Sequence, residues 1–187
     1  ITRRYREEKI NALEECVSLS KEGERFLTII KVIREAIDAL TKEATGWHNL
    51  EYRSSQNEQL VMHHNEKGFI PVKMLSDGIR NTIAMVADIA YRACRLNPHL
   101  GENAAKETDG VVLIDEVDLF LHPKWQQTIL KSLTDAFPKM QFIVTTHSPQ
   151  VLSTVRRENI RVLPEKKMPE FSPLAHESGD ALAKIMN

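Results

Sequence analysis

Cysteine is nearly absent. The 187-residue chain has two, Cys16 and Cys94, with neither a C-x-x-C pair nor metal-ligand spacing around them. That excludes a disulfide framework and leaves two reduced, partly buried thiols in a cytosolic protein as the expectation. Net charge is also small, -1 with a pI near 6.7, so no global field draws the chain to nucleic acid. The clusters Arg3-Arg4-Arg6 and Arg156-Arg157 can act only locally. No apolar run approaches the roughly 18 residues of a membrane span, and no secretory leader is recognisable, so neither a membrane nor an export role is expected. Nor does any stretch fit G-x-x-x-x-G-K-[ST], the glycine-rich loop whose amides cradle phosphates.

What is there suffices for one substantial domain: 42% of residues are hydrophobic and 27% charged. The start at Ile1, and a last stretch from Asp180 to Asn187 that reads as a helix cut after its opening turns, suggest a piece of something longer. Residues 2–42 read as two charged helices broken near 18–23, the second with an apolar stripe of Phe26, Ile29, Ile30, Ile33, Ile37 and Leu40. No a/d heptad is sustained, so a helical hairpin or arm over 1–45 is the expectation rather than a coiled-coil root. Residues 46–187 form the remaining part. It opens with β-like runs at 48–53, 58–64 and 69–74, parted by turn-forming Ser54-Ser55-Gln56-Asn57 and Asn65-Glu66-Lys67-Gly68, an antiparallel meander. His63 and His64 are strand neighbours whose side chains point to opposite faces, which suits surface histidines better than a shared metal.

Residues 79–96 carry the clearest helical spacing, through Ile79, Ile83, Val86, Ala90 and Ala93, with Pro98 closing it. The continuous apolar run 111–114 has the pattern of a strand covered on both faces of a parallel sheet. A helix from Pro123, burying Trp125, Ile129, Leu130, Leu133 and Phe137, follows. A strand at 141–145, a helix at 149–155 and a third strand at 160–163 complete the order. Strand and helix alternate, so the fold class is α/β with a parallel sheet flanked by helices.

Three motifs on these elements carry chemistry. Leu75-Ser76-Asp77-Gly78 precedes the strongest helix, so Ser76 and the Gly78 backbone can face an anion at its positive end; the plainer alternative is that Ser76 or Asp77 caps the helix. Asp115 and Glu116 end the 111–114 strand at the carboxyl edge, where open α/β sheets bind ligands. Their side chains diverge, which suits Asp115 to a magnesium ion and Glu116 to an attacking water. His147, in Thr145-Thr146-His147-Ser148-Pro149, stands past the next strand, where an imidazole can hydrogen-bond a terminal phosphate oxygen.

In this order the motifs resemble the signature, Walker B and switch histidine of ABC-superfamily ATPases, with Asp118 similar to the D-loop aspartate. The run Asp115-Glu116-Val117-Asp118 into Leu121-His122-Pro123 is similar to the SMC/RecF/OLD branch. Residues 75–93 look most like the RecF-like ATPases of bacterial anti-phage systems, of the Septu and retron-associated PtuA type. The motif-bearing resemblance covers about 69–163. It implies a P-loop NTPase fold and a homodimer or higher oligomer in which two heads sandwich ATP and Mg2+. Ser76 and Gly78 would act in trans, and Asp115, Glu116 and His147 in cis, with Asp118 linking the sites. It also implies an effector partner, a nuclease of the HNH type, contact with DNA or RNA–DNA, and a cytoplasmic location. Asp77 and Ile79 depart from the Gly and Gln of the transporter signature, and neither Gln56 nor Gln59 is assignable as the Q-loop glutamine. The alternatives are a RecF-like repair ATPase, a nucleotide-bound assembly module without turnover, and a nuclease using Asp115 and Glu116 as metal ligands.

Overall fold

The computed structural model describes residues 21–53 and 59–163. The first helix of the expected hairpin, together with Cys16, Gln56 and the closing 180–187 stretch, lies outside them. Helix α1 (Lys21–Thr45) carries Glu22 and Glu24 in its first turn and Lys42 in its last, matching the helix dipole at both ends. It buries Val32, Ala36, Ile37, Leu40 and Thr41. The expected stripe is therefore shifted: Phe26 is 57% exposed, because the first turns of α1 run past the core. Gly46 (φ +79) ends the helix through an N–H bond to the Lys42 carbonyl, and a side chain there would meet His64 Nε2 at 2.6 Å.

The meander forms as expected, with β1 (Trp47–Arg53), β2 (Gln59–His64) and β3 (Gly68–Pro71) pairing in that order. Residues Val72–Met74 are a 3-10 turn rather than an extension of the last strand. A bulge between His48 and Glu51 is pinned to α1, where the Asn49 N–H donates to Asp38 Oδ1 at 2.7 Å. His63 and His64 do face opposite sides. His63 Nδ1 lies 3.2 Å from His48 Nε2 beside Phe69, while His64 packs on Trp47.

Helix α2 (Asp77–Leu96) sets Ile83, Val86, Ile89, Ala90 and Ala93 against the same core as α1. A 3-10 segment (Pro98–Asn103) and α3 (Ala104–Glu107) lead to β4 (Gly110–Ile114). The chain then runs through α4 (Pro123–Gln126), α5 (Ile129–Ala136), β5 (Met140–Val144) and α6 (Pro149–Leu152). The single helix expected after Pro123 breaks at Thr128, whose hydroxyl and N–H both bond the Trp125 carbonyl at 3.1 and 3.0 Å. The helix expected over 149–155 is α6 followed by i to i−3 bonds at Thr154 and Val155.

β4 and β5 pair in parallel, Val112 opposite Phe142 and Ile114 opposite Val144, and these four side chains pack on the core. Their other face corrects the expectation of a strand covered on both sides: Val111 is 60% exposed, Leu113 74% and Ile143 52%. Among the described residues the core lies on one side of the pair only. The third parallel strand is also absent among the described residues, where Val162 makes a single bridge after a 3-10 turn (Arg157–Asn159). Local bonds take the ladder groups, since the Ile160 N–H donates to Arg157 O and Arg161 Nη1 donates to Ile160 O at 2.7 Å. No helix among the described residues is long and apolar enough to cross a membrane.

Candidate functional site

The parallel pair ends where the polar residues begin. The ladder continues one step beyond each strand, with the Thr145 N–H donating to Ile114 O at 2.9 Å and the Val117 N–H to Thr145 O at 3.1 Å. This lays the two connecting loops side by side. Thr145 Oγ1 donates to Asp115 Oδ1 and accepts the Glu116 N–H at 2.8 Å, so one hydroxyl orients both members of the acidic pair. Glu116 has φ +48, a left-handed conformation that is uncommon for a residue with a side chain.

Asp115, Glu116, Thr145, Thr146 and His147 form the polar rim of a cavity of about 430 Å³, whose remaining wall is mostly apolar and includes Leu130, Val144 and Ile160. His147 is exposed, and its imidazole has no hydrogen-bond partner among the described residues. The cis residues expected from the motifs are thus together. Ser76 and Gly78 are not on this rim. Ser76 is the N-cap of α2, yet its hydroxyl makes no capping bond and stays exposed, and Asp77 pairs with Arg80 instead. The close approach that Gly78 allows is to its own chain, since a Cβ there would lie 2.3 Å from the Phe120 carbonyl oxygen. Helix α2 therefore starts directly on the loop that carries Asp118.

The donor set fits a magnesium nucleotide. Asp115 and Glu116 are exposed carboxylates, hard oxygen donors, and Asp115 spends only one oxygen on Thr145. Among the described residues no group of three or more His, Cys, Asp or Glu is placed to hold a metal. One or two carboxylates with phosphate oxygens and water completing the shell is the regime in which Mg2+ is bound.

Residues 4–153 match the family described as "AAA domain, putative AbiEii toxin, Type IV TA system". The chain belongs to that AAA domain family. Among curated relatives of this AAA domain, the Retron Vc95 probable ATPase of Vibrio cholerae serotype O1 biovar El Tor is 41% identical over 160 residues, 82% of this chain and 30% of that protein. The Retron Ec83 probable ATPase of Escherichia coli is 41% identical over 135 residues, 71% of this chain and 24% of that protein. The Septu protein PtuA of Bacillus mycoides (strain KBAB4) is 40% identical over 95 residues, covering 50% of this chain and 12% of that protein. The chain thus spans under a third of the length of the relatives it matches. A solved SMC head bound to the C-winged helix domain of ScpA aligns with a TM-score of 0.48 at 16% identity, covering 76% of this chain and 43% of that one. The motif resemblance thus agrees with the AAA domain family and with relatives named as retron probable ATPases and Septu PtuA proteins.

Composition and periodicity single out neither Thr145 nor Gln126, although both tie the loops together. The signal was local. A threonine pair ending a strand, and a glutamine three residues beyond the helix-starting Pro123, stand where backbone groups run out of regular partners.

Proposed function

We propose that this chain is the signature- and Walker B-bearing part of an ATP-hydrolysing head, which closes on a second copy and switches an associated effector in bacterial anti-phage defence. The convergence of Asp115, Glu116 and His147 on one cavity at the carboxyl edge carries this reading. Asp115 would hold the magnesium ion, which when bound neutralises charge on the phosphates. Glu116 orients the attacking water and accepts its proton. His147 donates to the terminal phosphate, while Thr145 holds the Asp115 carboxylate and the backbone of Glu116. Ser76 and the Gly78 backbone serve the nucleotide of the opposite head, and Asp118 lies between the sites. The retron and Septu names of the relatives support the defence setting. An HNH-type nuclease is the effector, and the site of action is the cytoplasm.

The exposed apolar face of Val111, Leu113 and Ile143 supports a further part of the head, bearing G-x-x-x-x-G-K-[ST], laid over the β4–β5 pair. The 187 residues alone then bind Mg-ATP poorly, and tight binding by calorimetry would contradict this.

The test mixes two full-length variants. Glu116→Gln retains nucleotide binding and loses roughly two orders of magnitude of turnover, the general-base scale. Ser76→Arg binds nucleotide and fails to close. A heterodimer gathers both lesions into one composite site and leaves the other whole, so the mixture recovers part of the activity that each variant lacks. Normal turnover by monomeric Ser76→Arg would remove the trans role. Unchanged turnover in Glu116→Gln would leave a nucleotide-bound assembly module as the better account.

A further inference from the structure

Gln126, at the last position of α4, sits in a closed ring of hydrogen bonds joining the two loops that carry Asp118 and His147. Its Nε2 donates to the carbonyls of Asp118 and Leu121, both at 3.1 Å, and its Oε1 accepts from Ser148 Oγ at 2.8 Å. The Ser148 N–H donates to Thr146 Oγ1 at 3.0 Å, and Thr146 Oγ1 donates to Asp118 Oδ1, which returns the ring to its start. His147 is the residue between Thr146 and Ser148, so the backbone on both sides of the imidazole is held by the ring.

The chemistry leaves one orientation for the amide. Ser148 Oγ already accepts the N–H groups of Gln150 and Val151, at 3.1 and 3.3 Å, so its own proton must go to an acceptor, Oε1. A flipped carboxamide would set its oxygen against two carbonyl oxygens and its NH2 against a hydroxyl with no lone pair to offer. Two donors and one acceptor at that length describe glutamine and no other common side chain. Ser148 is also buried, so water has little access to replace the lost bond there.

We infer that Gln126 is a positioning residue that makes the Asp118 loop and the His147 loop move as one body. The contact of Gly78 with the Phe120 carbonyl brings the start of the signature helix onto the same body. The inference rests on the ATPase reading above, in which Asp118 faces the opposite site and His147 the local one. A shift of the Asp118 loop on head closure is then relayed to the local imidazole through Gln126.

The test uses the full-length protein with two variants. Gln126→Glu keeps the acceptor for Ser148 and faces the two carbonyls with an oxygen, whereas Gln126→Met keeps the volume and removes both ends. Each is expected to leave the KM for ATP within twofold and to lower the thermal midpoint by several degrees, because Ser148 loses its partner or two carbonyls face an oxygen, while the protein stays folded at the assay temperature and kcat per nucleotide-binding site falls at least tenfold. A coupling measurement separates relay from mere support. In the parent, Asp118→Ala and His147→Ala together should cost less in kcat than the product of their separate costs, and in Gln126→Met that shortfall should shrink, the Thr146–Asp118 bond alone remaining to join the loops. Parental kcat in both Gln126 variants, a loss of kcat explained by the unfolded fraction, or unchanged coupling in Gln126→Met would each overturn the inference. Glu116→Gln serves as the control for the underlying reading. If it too turns over normally, the ATPase assignment has failed; if it is inactive while the Gln126 variants are normal, only the clamp has failed.

Discussion

Two regions of this chain are held by different forces. Around Phe137 the protein is apolar and closed: Ile37, Leu40, Ile129, Leu133, Val86 and Val151 are essentially inaccessible and come from four helices separated widely in sequence. At the carboxyl edge of β4 and β5 the backbone is exposed, and Asp115, Glu116 and Asp118 are oriented by threonine hydroxyls and one glutamine amide. Burial of a large apolar side chain contributes about 1.5–3 kcal/mol and tolerates no loss of volume, whereas an intramolecular hydrogen bond contributes about 0.5–1.5 kcal/mol net and is directional. The core therefore sets stability, and the edge sets the placement of charge. Changes in the first should unfold the protein, and changes in the second should silence it while it stays folded.

The largest expected effect tests the first half of that contrast. Phe137→Ala empties a fully buried site beside Phe142 and should lower unfolding free energy by about 3–5 kcal/mol, read as a shifted urea midpoint. A shift below about 1 kcal/mol would mean that the core is not the stabilising region. Gly78→Ala lies where the two regions meet. Its Cβ would stand 2.3 Å from the Phe120 oxygen, so the backbone must move, at a cost of about 1–3 kcal/mol. Because Phe120 is two residues from Asp118, turnover of the full-length protein should fall by more than the stability loss explains.

Thr145→Val sharpens the second half. It removes the hydroxyl that serves both Asp115 and the Glu116 N–H, in a setting exposed enough for water to substitute, so the stability loss should be only about 1 kcal/mol. Turnover should drop about tenfold, because the Asp115 carboxylate and the Glu116 backbone lose the group that holds them. Equal losses of stability and activity would break the distinction.

The smallest effect belongs to Cys94, whose thiol burial holds above its ordinary pKa. A pKa raised by folding means that the neutral thiol is favoured in the native state. Its contribution is full below the unfolded value of about 8.5 and is lost as pH rises through the higher folded value. Urea midpoints at alkaline pH should fall less for Cys94→Ala than for the parent, relative to their values at pH 7, and parallel pH profiles would show that the thiol does not contribute.

Local patterning was enough where a residue's partner is close in sequence or where one face alone decides. The meander followed from turn residues at 65–68, and α2 from its apolar spacing and Pro98. Asp115 and Glu116 were legible as the first polar residues after an apolar strand, and His147 as the histidine just past the next strand, beyond Thr145 and Thr146. Patterning failed where distant groups compete. Thr128 broke a continuous helical stripe by taking the Trp125 carbonyl, and Arg161 drew Ile160 away from a strand ladder. The apolar run 111–114 indicated burial on both faces, but an alternating exposure appeared because a strand's hydrophobicity states what it can bury and not what is present to cover it.

The sequence by itself determined that this is an α/β chain with an acidic pair and a histidine at strand ends, because strand and helix periods and the side-chain types are local properties. Only the tertiary structure decided that Thr145 ties the Asp115 carboxylate to the Glu116 backbone, that Gly78 rests on the Phe120 carbonyl, and that Gln126 joins the Asp118 and His147 loops. Those contacts span between 8 and 42 positions of chain, the separations of Gln126 from Asp118 and of Gly78 from Phe120. A hydrogen bond or a steric contact depends on positions in space to within a fraction of an ångström, and such positions exist only once the parallel pair has brought the two loops side by side.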